Sequence, residues 1–128
     1  MVAVDINEEA GAEIEKQQPE HIAFLKGDVS KESVAEEAVA LAVSKFGKLT
    51  GLVNNAHASR QKPLMELTEE DWELSFGTGF KATLHFMKAS YAELENPRGR
   101  WSTLARGPRW KASTCKPVMP PPKRPFEG

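Results

Sequence analysis

Polar side chains recur where short apolar runs end. Val2-Ala3-Val4 closes on Asp5, the run from His21 to Leu25 leads through Lys26-Gly27 into Asp28-Val29, and Leu49 to Val53 opens into Asn54-Asn55-Ala56-His57. Carboxylates and carboxamides so placed can accept or donate hydrogen bonds to a ligand. Each also has a plainer role: Asp5 as an acid at a helix N-terminus, Asp28 as a turn or capping residue, and Asn54 to Ala56 as a polar strand end. His21 and His85 have no ligand-like spacing to each other or to Cys115, so no metal site is assigned.

Regular elements must bring these residues together. The apolar, β-branched start predicts a strand, and the helix formers from Glu8 to Gln18 predict a helix that Pro19 stops. A second strand leads to Asp28, after which Ser30 can cap a helix with Val34, Ala38, Leu41, Ala42 and Phe46 on its apolar face and Gly47 at its C-terminal end. The third strand ends at Asn54. Strand and helix alternating in this way predict a parallel sheet. From Pro63 the chain approaches a longer helix, with Thr68 as N-cap, Glu69, Glu70 and Asp71 in its first turn, and Trp72, Phe76, Phe80, Thr83 and Met87 on one face. Gly77 and Gly79 weaken that helix by roughly 1 kcal/mol each relative to alanine, and Asn96-Pro97 ends it.

Composition changes sharply near Arg100. Residues 1–97 hold nine Lys/Arg against seventeen Asp/Glu, whereas residues 98–128 hold eight basic residues, one acidic residue and six prolines. The net charge of −1 therefore describes neither part, and partner arguments from net charge fail. Beyond Arg100 neither a two-residue nor a helical period survives, so the tail reads as unstructured. A lone cysteine excludes an internal disulfide framework. The start of the chain shows no apolar run of signal or membrane-span type, and the expected location is cytoplasmic.

The strand ending in Asp5, the strand followed by Asp28-Val29, the strand opening into Asn54-Asn55-Ala56 and the helix start Leu67-Thr68-Glu69-Glu70-Asp71-Trp72 together resemble the short-chain dehydrogenases/reductases. This resemblance covers about residues 2–100. It implies an α/β, doubly wound, Rossmann-like parallel sheet that binds a nicotinamide dinucleotide beyond the carboxyl ends of its strands. By the same resemblance, Asp5 accepts hydrogen bonds from the adenosine ribose hydroxyls and repels a 2′-phosphate, favouring NAD over NADP. Asp28 and Val29 flank the adenine, and Asn54, Asn55 and Ala56 form the turn that meets the cofactor ribose. His57 stands where the family usually has glycine, and Gly79 where it commonly has a catalytic asparagine. Tyr91 does not supply the family's Tyr-x-x-x-Lys, because Glu95 lies four positions on. No catalytic residue is assigned.

The family places its catalytic serine, tyrosine and lysine just after the strand expected near Arg100. Taking the third base of each tail codon with the first two bases of the next permits V-V-N-F-G-S-G-A-A-L-E-G-I-N-M-Q-A-S-Y-A-A-A-K-E-A-I-R-G. Many first bases in that string are free choices. The second and third bases are mostly fixed by the tail itself, and they allow tyrosine and lysine four apart with a serine thirteen residues before the tyrosine. A one-base deletion in or beside the Arg100 codon explains the tail. Residues 1–97 are then a partial dinucleotide-binding domain and residues 98–128 a frameshifted tail.

In an intact relative, the resemblance implies hydride transfer between the nicotinamide and a small alcohol or carbonyl substrate, in a homo-oligomer. Met1 falls within what should be the second strand, so the first strand and its Gly-rich, pyrophosphate-binding turn are expected to be missing. The strand ending at Asn54 is then expected to lack both neighbours, giving a poorly folded, inactive monomer. Two further readings are an interaction module that pairs with an intact paralogue through the helix from Trp72 to Leu94, and a basic tail that binds nucleic acid non-specifically.

Overall fold

A computed structural model of the chain describes residues 1–95 and 100–103. The frame reading of residues 104–128, Cys115 and the Asn96-Pro97 helix stop lie outside them.

Among the described residues four strands and four helices occur, alternating as expected at first. Strand β1 (Val2–Asp5) is followed by α1 (Glu8–Gln17), β2 (Ala23–Lys26), α2 (Glu32–Phe46) and β3 (Gly51–Asn54). Helix α1 starts under the Asn7 side chain, whose oxygen accepts the Ala10 N–H at 3.1 Å and so satisfies one of the helix's free donors. Gly47 ends α2 at φ 75°, a left-handed conformation in which glycine carries no Cβ penalty. The N-cap of α2 is Lys31 rather than Ser30. Ser30 is held one step earlier, where its backbone N–H donates to the Asp28 carboxylate at 2.9 Å.

A 3-10 turn at Leu64–Glu66 precedes α3 (Glu69–Phe76). Thr68 and Asp71 close a reciprocal capping box at its start. At Gly77 the helix widens into a π-helical turn, Gly77–Lys81, and then continues as α4 (Ala82–Leu94). The break falls on the glycine-containing stretch whose low helix propensity the sequence exposes.

The strands form two separate parallel pairs, β1 with β2 and β3 with β4 (Arg100–Thr103). The strand ending at Asn54 therefore has a neighbour, contrary to the expectation from sequence, with Gly51 to Asn54 in register with Arg100 to Thr103. Ladder hydrogen bonds use backbone groups, and Trp101 and Thr103 are good strand formers, so the chain pairs at this point although no period marks it in the sequence.

Helices cover both faces of the β1–β2 pair. Alternation along the strands sends Val2, Val4 and Leu25 toward Ala35, Ala38 and Phe86 of α2 and α4. Phe24 points the other way, against Gly11 of α1. Leu52 of β3 joins the α2–α4 side, while Val53 on the opposite side is 62% exposed. The core is thin, because the buried face of α2 consists of Ala35, Ala38 and Ala42. Small side chains let α4 approach closely but bury little apolar area. Trp72, Phe76 and Phe80 face outward, and the buried residues of α4 are Ala82, Phe86, Ser90 and Leu94. Among the described residues no helix is long and apolar enough to cross a membrane.

Candidate functional site

The separation of the two strand pairs leaves a cavity of about 1030 Å³ between β1 and β3. Its walls include Asp5 at the end of β1, Val29 after β2, and Asn54, Asn55 and Ala56 at the end of β3. Five of the six residues singled out by sequence thus share one wall system. Asp28, the sixth, lies on a separate, smaller cavity with Ser30, Arg60, Glu70, Glu73, Leu74, Gly77 and Thr78.

Asp5 is exposed, and one of its carboxylate oxygens accepts the Asn7 backbone N–H at 2.9 Å. That bond fixes the β1–α1 turn and leaves the other carboxylate oxygen for a ligand hydroxyl. Position is reinforced from the main chain, since the Asp5 carbonyl accepts the Gly27 N–H at 3.0 Å. Asp28 is also exposed, and the Ser30 backbone N–H it accepts holds its carboxyl below the usual carboxylate range. It is charged at neutral pH and already engaged in shaping its own turn, which is the plainer role recognised in the sequence.

Below the β3 end, the chain is tied to the π-helical turn. The Ala58 backbone N–H donates to Thr78 Oγ1 at 2.9 Å, and that hydroxyl donates to the Leu74 carbonyl at 2.8 Å. His57 leans over Gly79: a Cβ at Gly79 would lie 3.2 Å from His57 Nδ1 and 3.3 Å from its Cε1. The two departures noted in the sequence, histidine for glycine and glycine for asparagine, therefore meet in space. The larger side chain at position 57 takes the room that a side chain at position 79 would need. Thr78 was not legible as a site residue, because its role depends on the widened turn that brings residue 58 within reach.

A second polar cluster secures the loop between β3 and α3. Asp71, 3% exposed, accepts from Lys62 Nζ at 2.7 Å, Arg60 at 3.2 Å and the Thr68 backbone N–H at 3.0 Å. The Lys62 bond, with that from Thr68, holds its carboxyl well below the usual carboxylate range. A buried carboxylate satisfied by two cations and a helix cap is an anchor for the loop rather than an acid or base. Among the described residues no group of three or more His, Cys, Asp or Glu side chains could hold a metal ion.

Known proteins resemble this chain in sequence and in fold. The sequence pattern of the short chain dehydrogenase family matches residues 1–101. A diacetyl reductase [(S)-acetoin forming] of Staphylococcus epidermidis is 38% identical over 94 residues, which are 70% of this chain and 36% of that protein. A 12alpha-hydroxysteroid dehydrogenase of Clostridium sp. is 33% identical over 81 residues, 62% of this chain and 31% of that protein. The chain thus spans about a third of the length of these curated relatives. Among solved structures, a glucose/ribitol dehydrogenase-type short-chain dehydrogenase/reductase from Brucella melitensis superimposes with a TM-score of 0.73 at 27% identity, covering 79% of this chain and 44% of that one. A short-chain dehydrogenase/reductase from Burkholderia phymatum, solved in complex with NAD, shares the fold with a TM-score of 0.74 at 23% identity over 80% of this chain and 38% of that one.

Proposed function

This chain belongs to the short-chain dehydrogenase family, and from that premise we propose that it carries the adenosine side of a nicotinamide-dinucleotide site without the residues that complete catalysis. The observation that carries the reading is the one cavity that Asp5, Val29 and Asn54 to Ala56 all line. Asp5 has a carboxylate oxygen free to accept from vicinal ribose hydroxyls, and its charge disfavours a 2′-phosphate; NAD is preferred over NADP. Val29 offers an apolar surface to the adenine. Asp28 acts on that subsite through the turn it braces. Asn54, Asn55 and Ala56 line the side nearer the reacting end.

When bound, a nicotinamide dinucleotide supplies hydride transfer to or from an alcohol or carbonyl carbon. The residues of this chain supply binding and orientation only. A proton acceptor of the Tyr-x-x-x-Lys type is missing from its sequence, and Tyr91 is an exposed residue of α4 with glutamate four positions on. The frame reading accounts for this: the family match stops at residue 101, one residue past Arg100, where the alternative frame supplies a strand, a serine and Y-A-A-A-K. We read the chain as a fragment of an oxidoreductase that is inactive as it stands.

Sequencing the gene across the Arg100 codon tests the frame. Third bases spelling V-V-N-F-G-S are expected, and any other string overturns it. Calorimetric titration with ADP-ribose and its 2′-phosphate tests the half-site. Tighter binding of the unphosphorylated ligand is expected, and equal or reversed preference refutes the role of Asp5. Catalysed NADH turnover by the purified chain would refute inactivity.

One observation favours a second reading. Trp72, Phe76, Phe80 and Leu84 are all exposed at four-residue intervals from α3 through the π-helical turn into α4, and the rings of Trp72 and Phe76 lie 5.9 Å apart. Such an apolar stripe on consecutive helical turns is a helix-pairing surface. It supports association with an intact family member, testable by co-purification.

A further inference from the structure

His57 brings a group that changes charge near neutral pH to the carboxyl ends of the strands. It follows Asn54, Asn55 and Ala56 off β3, is half-buried, and lines the same cavity as Asp5. An imidazole ordinarily exchanges its proton between about pH 5 and 8, so this part of the wall can be neutral or positive.

The surroundings decide which ring nitrogen exchanges it. One edge of the ring is packed: a Cβ at Gly79 would lie 3.2 Å from Nδ1 and 3.3 Å from Cε1, and Thr78 Oγ1 lies 3.5 Å from Nδ1. The Thr78 hydroxyl has one hydrogen, and the Leu74 carbonyl at 2.8 Å is better placed to accept it than the Ala58 carbonyl at 3.2 Å. With that hydrogen spent on a carbonyl, Thr78 can only accept from the ring, so Nδ1 keeps its hydrogen in both charge states. Among the described residues Nε2 has no hydrogen-bond partner and is not buried. The proton is therefore gained and lost at Nε2, the nitrogen that a ligand can reach.

The neighbouring charges lie on three sides. Around the cavity the other ionisable side chains are Asp5, at the end of β1, and His21 and Lys48, which precede β2 and β3 at the opposite end of the strands; the Met1 amine is also there, donating to the His21 carbonyl. The residues of α2 and α4 that line the cavity carry no charge. Behind the ring, Thr78 also borders the smaller cavity with Asp28, Arg60, Glu70 and Glu73, where Arg60 is paired with Asp71 and Glu73 with Lys81. At the carboxyl ends of the strands, Asp5 and His57 are thus the ionisable side chains on the cavity wall among the described residues. They are opposite in kind: a carboxylate accepts from hydroxyls and repels phosphate, whereas an imidazolium donates to phosphate.

We propose that His57 is an anion-binding residue of this cavity, whose protonated ring donates from Nε2 to a phosphate oxygen of a nucleotide seated with its ribose on Asp5. The seat of the ribose rests on the cofactor reading above; the charged donor at His57 is a separate claim. Thr78 and Gly79 position the ring, one by fixing the hydrogen on Nδ1 and the other by leaving room for that edge.

Calorimetric titration of the full chain with ADP-ribose and with adenosine, at about pH 5.5 and about pH 8, tests this together with nuclear magnetic resonance of the His57 ring. The phosphates of ADP-ribose are strongly acidic diesters, so its charge is the same at both values, and adenosine has no phosphate. The affinity of ADP-ribose relative to adenosine should rise about fivefold at the lower pH, as expected of a partly exposed charge pair. The rise should vanish in His57→Gln and persist in His21→Gln. An anion that prefers the charged ring must also raise the pH at which that ring titrates, so ADP-ribose should shift the His57 resonance titration upward and adenosine should not. The resonance measurement uses the unaltered chain and decides the matter even where His57→Gln fails to fold. An affinity ratio that is flat with pH, a rise that survives His57→Gln, or a His57 titration indifferent to ADP-ribose would overturn the proposal while adenosine binding upholds the cofactor reading. Failure of adenosine to bind would overturn both.

Discussion

Replacing Gly11 by alanine probes how α1 is seated on the sheet that carries Asp5. Alanine ordinarily stabilises a helix interior by about 1 kcal/mol over glycine. Here the added Cβ would lie 2.0, 2.2 and 2.3 Å from three ring atoms of Phe24. Carbon atoms rest about 3.5–4.0 Å apart, so the ring or the helix must give way by well over 1 Å. Overpacking of that kind costs about 1–3 kcal/mol, which offsets or exceeds the propensity gain and leaves Gly11→Ala neutral to about 2 kcal/mol destabilised. In a Phe24→Ala background the obstacle is gone, and the same change should stabilise by about 1 kcal/mol. Urea titrations of the four chains, followed by far-ultraviolet circular dichroism, complete the cycle. The expected coupling is about 1 kcal/mol or more. An equal effect of Gly11→Ala in both backgrounds would refute the close approach of α1 to β2.

Acid should loosen the start of α3. The folded-state Asp71 carboxyl lies below its unfolded value, so its stabilisation is complete above about pH 4 and fades as pH falls toward the lower folded value. An acid titration by circular dichroism should show a loss in the wild type that Asp71→Asn lacks. His57→Gly and Gly79→Asn should be better together than the sum of the single changes by about 0.5 kcal/mol or more, measured by the same urea titration. Asp5→Asn, which keeps an oxygen to accept the Asn7 N–H, should abolish the preference for ADP-ribose over its 2′-phosphate in calorimetry while leaving the spectrum of the chain unchanged. Phe80→Glu, at a position 68% exposed, should prevent co-purification with an intact relative without altering helix content.

Local signals carried much of the fold. Gly47 and Thr68 mark helix ends because capping depends on one or two residues and their immediate neighbours, and both occupy the expected places. Apolar runs located three strands to within a residue or two, and the family resemblance is matched through residue 101. Ser30 is not the cap: it belongs to the turn that the Asp28 carboxylate closes on its backbone N–H, and the helix starts one residue later, after Lys31. The outward face of Trp72, Phe76 and Phe80 was beyond the reach of periodicity, which groups residues on a face without saying which face is covered. The Arg60 and Lys62 contacts with Asp71, and the meeting of His57 with Gly79, join residues 9 to 22 positions apart across loops. The resemblance places a strand near Arg100, but the residues of β4 read as part of an unstructured tail, since its pairing is written in backbone groups and its composition is that of the tail.

The buried face of α2 has a bearing on how this sequence can drift. Ala35, Ala38 and Ala42 are already the smallest side chains that favour a helix. Ala35, fully buried and away from the cavity, has no room for a larger replacement, and glycine weakens the helix, so substitution there meets a wall in both directions; Ala38 and Ala42 border the cavity and can grow into it. The exposed aromatic residues of α3 are under no such packing constraint within the chain. Divergence among relatives of this sequence should therefore leave a track: a fixed alanine at position 35 beneath a surface whose large apolar side chains persist only while something outside the chain holds them in place.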